Sequence, residues 1–463
     1  MRPVRDLAFV GFLLALLGFG FRRPFLFVLA YVYVDIVSPQ RLTYLLLNSV
    51  PISLIIVGLA MLSYFLVDDK RDSRVAPRQM LMLMLLAYCA VTTSQADFPV
   101  EAAFKWDWVW KALLFAIFLP LTLRTRLRIE ALALFMILSA GSIIIVGGIK
   151  TIASGGGYGA LNLMIDNNSG LYESSTIATV AIAIIPLILF FTRHGTIFKP
   201  DWKVKLFAYA LCFSCLLIPV GTEARTGLIC IGILAVLMLR YTKRRVLYIA
   251  LMAVGGLAAI PLLPQSFTAR MDTIGNYKAD SSASTRVAVW KWTWEYVKDH
   301  PFGGGFDAFR QNKLTIEKVE TDKTASGTDV KQTLEYDKAR AYHSAYFEML
   351  GEQGFPGLVL WLLIHGIGIF RMEMLQRRYA KKTAEHQAWI GPLASALQQG
   401  HIIYMFGSLF VGIALQPFVY MLVGMQIGLD TYARRREHEA AWRPLVKRIG
   451  GAEHAPARNA GAV

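Results

Sequence analysis

Charge is scarce in this sequence. Only 17% of its residues are Asp, Glu, Lys or Arg and 55% are hydrophobic, whereas soluble domains carry roughly a quarter charged residues. That shortage excludes the two or three soluble domains that 463 residues would otherwise suggest. Cysteine is scarcer still. Cys89, Cys212, Cys215 and Cys230 all fall in apolar stretches. Cys212 and Cys215 spell CxxC, a spacing used in redox and metal chemistry. Two small apolar side chains in a lipid-embedded helix account for them more plainly. Other patterns are missing. No Gly-rich loop ends in Lys-Ser/Thr, so direct use of ATP is not expected. The aspartates form no DxD pair, and no His/Cys cluster has metal spacing, so neither a metal nor a cofactor is expected. The chain shows no internal repeat. The first apolar run is not followed by a small-residue cleavage site, so no cleavable signal peptide is expected.

Long apolar runs, by contrast, recur at lengths near the ~20 residues that cross a bilayer. The candidate spans are Leu7–Phe21, Pro24–Val37, Leu45–Val67, Gln79–Thr93, Val109–Leu123, Ile129–Ile149, Ser174–Phe191, Val204–Val220, Thr226–Leu239, Val246–Leu263, Pro356–Phe370, Leu393–Leu415 and Pro417–Leu429. The expected fold class is all-α: a polytopic membrane helical bundle. The first two runs are each about 15 residues, short for spanning. Counted as one span they place the N-terminus inside and give about twelve transmembrane helices, in a range of about eleven to thirteen.

The net charge of +16 would suit a nucleic-acid binder in a soluble protein. Here the basic residues sit in short clusters between apolar runs, which is the positive-inside pattern and argues against nucleic acid. Between Pro264 and Tyr342 there are 12 Lys/Arg and 11 Asp/Glu, while the rest of the chain holds 36 and 21. Basic loops (Asp69–Arg78, Arg124–Arg128, Arg193–Lys205, Arg240–Arg245, Arg371–Lys382) alternate with non-basic ones (Gln95–Asp107, Ser154–Tyr172, Gly221–Arg225 and the long neutral segment). The basic loops are expected to face the cytoplasm. Residues 1–263 then form N-terminal transmembrane helices, and 264–342 a periplasmic loop containing short interfacial helices. Residues 343–431 form C-terminal transmembrane helices, and 432–463 a cytoplasmic tail whose composition marks it as disordered.

Three stretches on the non-cytoplasmic side carry residues suited to chemistry. In GTEARTG, Gly221–Gly227, Arg225 sits at the mouth of a span, where a snorkelling arginine is the plain alternative. In SASTRVAVWKWTWEYVKDHPFGGGFDAF, Ser282–Phe309, crowded aromatics predict a segment lying at the membrane interface. Arg286 and Trp290, four apart, share one helix face, and HPFGGGF ends the helix. In RAYHSAYFEMLGEQGFPG, Arg340–Gly357, a helical reading puts His343, Phe347, Leu350 and Gly354 near one face. Gly351, Gly354 and Gly357 allow close contact. Guanidinium forks match phosphate oxygens, and a neutral imidazole is a base near pH 7. Together they suit transfer of a group from a lipid diphosphate to a hydroxyl outside the cytoplasm. In IDNNSG, Ile165–Gly170, Asn167 and Asn168 are candidates to hydrogen-bond sugar hydroxyls, with turn formation as the plainer account.

These three stretches, in this order over Gly221–Leu363, resemble the O-antigen ligase/polymerase family of bacterial inner-membrane glycosyltransferases. The N-terminal RDLAFVGFLLALLGFGFRRPFLFVLAYVYVDIVSPQRLTY is similar to the branch called exosortase A-associated O-glycosylation ligases. The resemblance implies a metal-independent glycosyltransferase of the inner (plasma) membrane with its active site facing the periplasm. Its implied donor is a glycan on undecaprenyl diphosphate and its acceptor a hydroxyl on lipid or protein, with membrane lipids around it and no nucleic acid. It implies Arg225 and Arg286 as diphosphate-binding residues and His343, with Arg286, as the catalytic pair. The family arginine at the span mouth usually follows serine; here Ala224 takes that place, which bears on the neighbour and not on Arg225. A polymerase joining lipid-linked repeat units shares this chemistry. A transporter of lipid-linked sugars is the rival from another class, and it calls for ionisable residues near the bilayer midplane and interrupted helices.

Overall fold

The structure is a computed structural model. It describes residues 2–43, 47, 50–70, 73–154, 171–240, 242–259, 261, 263, 281–324 and 327–441. Each of the thirteen apolar runs lies wholly or partly on a helix. In chain order the helices are α1 (Arg2–Gly20), α2 (Phe25–Val37), the single turn α3 (Pro39–Leu42), α4 (Ile52–Leu66), α5 (Pro77–Ser94) and α6 (Pro99–Thr122). Then come α7 (Arg126–Ser154), α8 (Ser174–His194), α9 (Trp202–Gly221), α10 (Arg225–Leu239) and α11 (Arg245–Ala259). The long neutral segment contributes α12 (Ser281–Asp299), and the chain closes with α13 (Ala345–Tyr379), the short α14 (Glu385–Ala388), α15 (Ile390–Gly407) and α16 (Pro417–Ala441).

Four helices among the described residues are long and apolar enough to cross a membrane: Arg126–Ala153, Ser174–His194, Trp202–Gly221 and Ala345–Tyr379. Their burial differs. The apolar window of α8 is 89% buried and that of α9 only 33%, so α8 is a hub and α9 an outer helix. Its sequence explains this, since α8 is apolar on every side and lacks a polar stripe for water. It packs against α9, α10 and α15. Glycine sets the closest approach: a Cβ on Gly400 would lie 2.5 Å from Ala183 O, and one on Gly407 2.4 Å from Thr179 Cγ2. Along α11, by contrast, Val246, Leu251, Val254 and Leu257 are all exposed. So extended an apolar surface belongs against lipid, not water. The protein is a helical membrane protein.

The departure from helix among the described residues lies in the long neutral segment. Strands β1 (Lys313–Thr324) and β2 (Gly327–Lys338) pair antiparallel, with Lys313 opposite Lys338 and Thr324 opposite Gly327. Among the described residues of 264–342 the structure has one 19-residue helix, a single 3-10 turn at Ala308–Gln311 and this hairpin, which the sequence did not lead us to expect. Thr, Val and Ile recur through these strands, as in sequences that fit a pleated sheet. Asn312 clamps the hairpin's base: its side chain donates to Arg340 O (2.7 Å) and accepts from Arg340 N (2.9 Å).

Helix α13 is broken. Gly354 adopts φ 63°, ψ −166°, and Pro356 follows. The apolar span expected from Pro356 is the second half; a first half, Ala345–Gln353, precedes it. A break frees backbone groups that lipid cannot satisfy. The HPFGGGF loop takes them up: Gly304 N donates to Gly351 O (3.1 Å), Gly305 N to Glu352 O (2.9 Å), and Phe355 N donates to Pro301 O (3.0 Å). No side chain fits between the two. A Cβ on Gly354 would stand 2.2 Å from Pro301 O, and one on Gly303 2.5 Å from Glu352 O. The interrupted helix is thus a dock for the loop that follows α12.

Candidate active site

This docking sets α12 along the first half of α13. Trp290 stacks on Phe347 at 5.0 Å, and Trp292 on Tyr296 at 4.9 Å. Tyr296 donates to Asp97 and is 8% exposed. Among these aromatics Tyr296 is buried, Trp290 and Trp292 are half-buried and Trp294 is exposed. The spacing of Arg286 and Trp290 has a consequence. Trp290 Nε1 donates to Tyr342 O at 2.8 Å, which seats the turn of α12 bearing Arg286 beside the peptide that leads into His343.

His343 is not on a helix face. Helix α13 begins at Ala345, and His343 holds φ +47° two residues earlier. Histidine tolerates this left-handed conformation better than β-branched or bulky residues do. Its neighbours are anchored: Tyr342 and Ser344 are buried, and Ala345 N donates to Ser408 O at 2.8 Å. The reversed backbone leaves His343 partly accessible between them. Phe347 and Leu350, read from sequence as sharing its face, pack against α12.

The His343 imidazole is held below its ordinary value. Desolvation by the surrounding protein is the largest cause, although part of the ring stays accessible; the Arg286 charge is the next. Arg340 adds to the depression and Glu173 opposes it. Glu173 caps α8, accepting from Thr176 N at 2.6 Å and Thr176 Oγ1 at 2.7 Å. The structure therefore gathers Arg286, His343, Arg340 and Glu173. Sequence reasoning named the first two and missed the others. Glu173 had a signal: an acid directly before Ser-Ser-Thr opens an apolar run, as a helix cap does.

Arg225 is the first residue of α10. The turn before it is tight: Glu223 holds φ +52°, and a Cβ on Gly227 would lie 2.6 Å from Pro219 and 3.0 Å from Ala178. Ala224 is the N-cap and offers no side-chain cap, where a serine would. A cation at a helix N-terminus opposes the helix dipole, while that arginine and the first-turn amides together suit an anion. Helix α10 packs against α8 and α15. The near end of α8 bears Glu173, and Ser408 just past α15 meets α13 beside His343, so Arg225 lies at the same end of the bundle. Asn167 and Asn168 lie outside the described residues.

Beneath this end lies a charge cluster. Lys105 Nζ of α6 reaches Glu348 Oε1 at 2.6 Å and Glu352 Oε1 at 2.8 Å. Glu348 also accepts from Ala414 N (3.1 Å) and Glu352 from Asp307 N (3.1 Å). The sequence alone does not join these residues, because the partners of Lys105 lie more than two hundred residues away along the chain.

One end of this helical membrane bundle thus carries two arginines and an accessible histidine. Residues 208–362 match the family model described as O-Antigen ligase, and the matched segment contains Arg225, Arg286 and His343. Residues 4–196 match a family of unknown function (DUF5935). No curated protein matches.

Proposed function

We propose that this protein transfers a glycan from an undecaprenyl-diphosphate carrier to an acceptor hydroxyl on the periplasmic face of the inner membrane. In this reading about twelve helices span the bilayer, and the segment from 264 to 342 is periplasmic. Arg225 and Arg286 grip the diphosphate oxygens and offset the charge of the leaving group. His343 takes the proton of the acceptor hydroxyl as its oxygen bonds to the sugar's anomeric carbon. The bond from that carbon to the diphosphate oxygen breaks, and undecaprenyl diphosphate leaves. The reading needs no metal. Asn167 and Asn168 are retained as sugar-binding candidates, and the exosortase A-associated branch as the subfamily, on the N-terminal stretch alone.

The observation that supports it most is the pairing of Arg286 with an accessible His343 whose imidazole is pushed toward its neutral form by burial and then by the Arg286 charge. A neutral imidazole accepts a proton; a positive neighbour keeps it so and is itself the right charge for a diphosphate. The test compares carrier-linked glycan in cells carrying only His343→Ala with wild type at equal membrane protein. Build-up of full-length donor with loss of acceptor glycosylation supports the ligase. Build-up of single repeat units on the carrier makes the protein a polymerase. Unchanged donor and acceptor pools overturn the catalytic reading.

One observation favours the transporter as a second reading. Helix α13 is interrupted, and His365 Nδ1 lies 2.8 Å from His401 Nε2 in the buried interior. The break, however, is filled by the glycine loop rather than opening onto a cavity, which suits a fixed site better than a moving one.

A further inference from the structure

The helices that carry the histidine end also carry a second arginine cluster at their far end. Thr92, near the end of α5, donates to Gln353 at 2.6 Å, while Arg78 opens the same helix. On α13, Arg371 lies 17 residues past the break at Gly354, or roughly 25 Å along the helix. Between these far ends and that of α16 is a cavity of about 450 Å³ lined by Arg74, Arg78, Arg371, Arg434 and Arg435, with Asp430 and Glu439 as its acids.

Its charges are incompletely balanced. Asp430 is held by Arg371 at 2.8 Å and Arg434 at 3.4 Å, and Glu439 by Arg436 at 2.8 Å. Arg78 is 5% exposed; its Nη1 reaches Gln426 Oε1 at 3.4 Å, and its Nη2 has no hydrogen-bond partner among the described residues. A buried guanidinium with an unsatisfied donor is costly unless an anion completes it. The wall is also partly apolar, through Val75, Ile367 and Ile427. Nearby Met80, Phe370 and Met374 are exposed as lipid-facing residues are.

We propose that this cavity binds the phosphate group of an anionic membrane lipid. Guanidinium forks fit phosphate oxygens, and basic pockets between membrane helices at the cytoplasmic surface hold anionic headgroups. The exposed apolar side chains beside the cavity give the acyl chains a place that free phosphate does not need. The site is separate from the one at His343, so the proposal does not depend on the glycan-transfer reading.

The test uses the purified full-length protein in mixed micelles containing either dioleoyl-phosphatidylglycerol or dioleoyl-phosphatidylcholine, with thermal unfolding and retained lipid measured by native mass spectrometry. Wild type should be stabilised by, and retain, the anionic lipid over the zwitterionic one. Arg74→Gln/Arg434→Gln, changed at two exposed positions, should need on the order of tenfold more anionic lipid for the same shift. Arg74→Gln alone replaces the double variant if that one does not accumulate, with a smaller loss in the same direction. Equal response to the two lipids overturns the proposal, as does a variant that responds like wild type. A shift reproduced by inorganic phosphate alone overturns the lipid assignment.

Discussion

The two ends of this bundle gather arginines by different means. At the far end the arginines sit on or beside regular helices, two of them share Asp430, and the wall is part apolar. At the near end Arg225, Arg286 and His343 come from three separate segments that the backbone must bend to bring together. Among the described residues, four of the five non-glycine residues with positive φ lie between Glu223 and His343. Strained backbone persists where the surroundings hold it, and it gathers at reacting sites. On the proposed readings, a headgroup site needs charge and shape, whereas a base needs a fixed backbone as well, and the near end is where this fold concentrates its unusual conformations.

The comparison breaks first at His343. His343→Ala should lower glycan transfer by about 10²–10⁴-fold, the range for a lost general base, while binding of anionic lipid at the far end stays as in wild type. Loss of both together would mean that the two ends are not separate. Next in size is Lys105. Lys105→Met leaves Glu348 and Glu352 buried without their cation, a change that typically costs about 3–5 kcal/mol. Thermal unfolding should show it, and Lys105→Met/Glu352→Gln should recover part of the loss. An unchanged midpoint in the single variant would show that the cluster does not hold α6 to α13.

The helices were legible because apolar runs of bilayer length leave few other structures open. The near-end site was legible in parts: arginines and a histidine on loops of one expected side. Its geometry was not. His343 reads as helical because Phe347 and Leu350 follow at helical spacing, and only Ser408 accepting from Ala345 N fixes where the helix starts. Gly354 and Pro356 marked a boundary, but that the HPFGGGF loop fills the break depends on backbone contacts across some fifty residues. The hairpin went unread because its polar strands look like solvated loop. Arg74, Arg78 and Arg371 were read as topology signals; that they meet Arg434 around a cavity is a tertiary fact.

Smaller in effect is the glycine dock that underlies the contrast. Gly354→Ala must hold a left-handed conformation that L-residues avoid and set a Cβ against Pro301 O. A loss of about 1–3 kcal/mol is expected for the conformation alone. Because the dock seats α12, transfer should fall more than lipid retention at the far end. Equal losses at both ends would mean general unfolding and remove the idea that the dock serves the site.

The finest distinction is the sign of pH shifts around His343. Transfer should fall as the pH drops through the depressed imidazole value, since protonation removes the base. Arg286 lowers that value, so Arg286→Gln should move the acid limb to higher pH, toward the ordinary histidine range. Glu173 raises it, so Glu173→Gln should move the limb the other way. Arg286→Gln also weakens grip on the diphosphate, so the readout is the position of the limb in a kcat–pH profile and not the rate. Lost binding or a loosened α8 cap changes rates without giving the two variants opposite shifts. Limbs that move together, or not at all, would remove His343 from proton transfer and leave the near end a second anion site, like the far one.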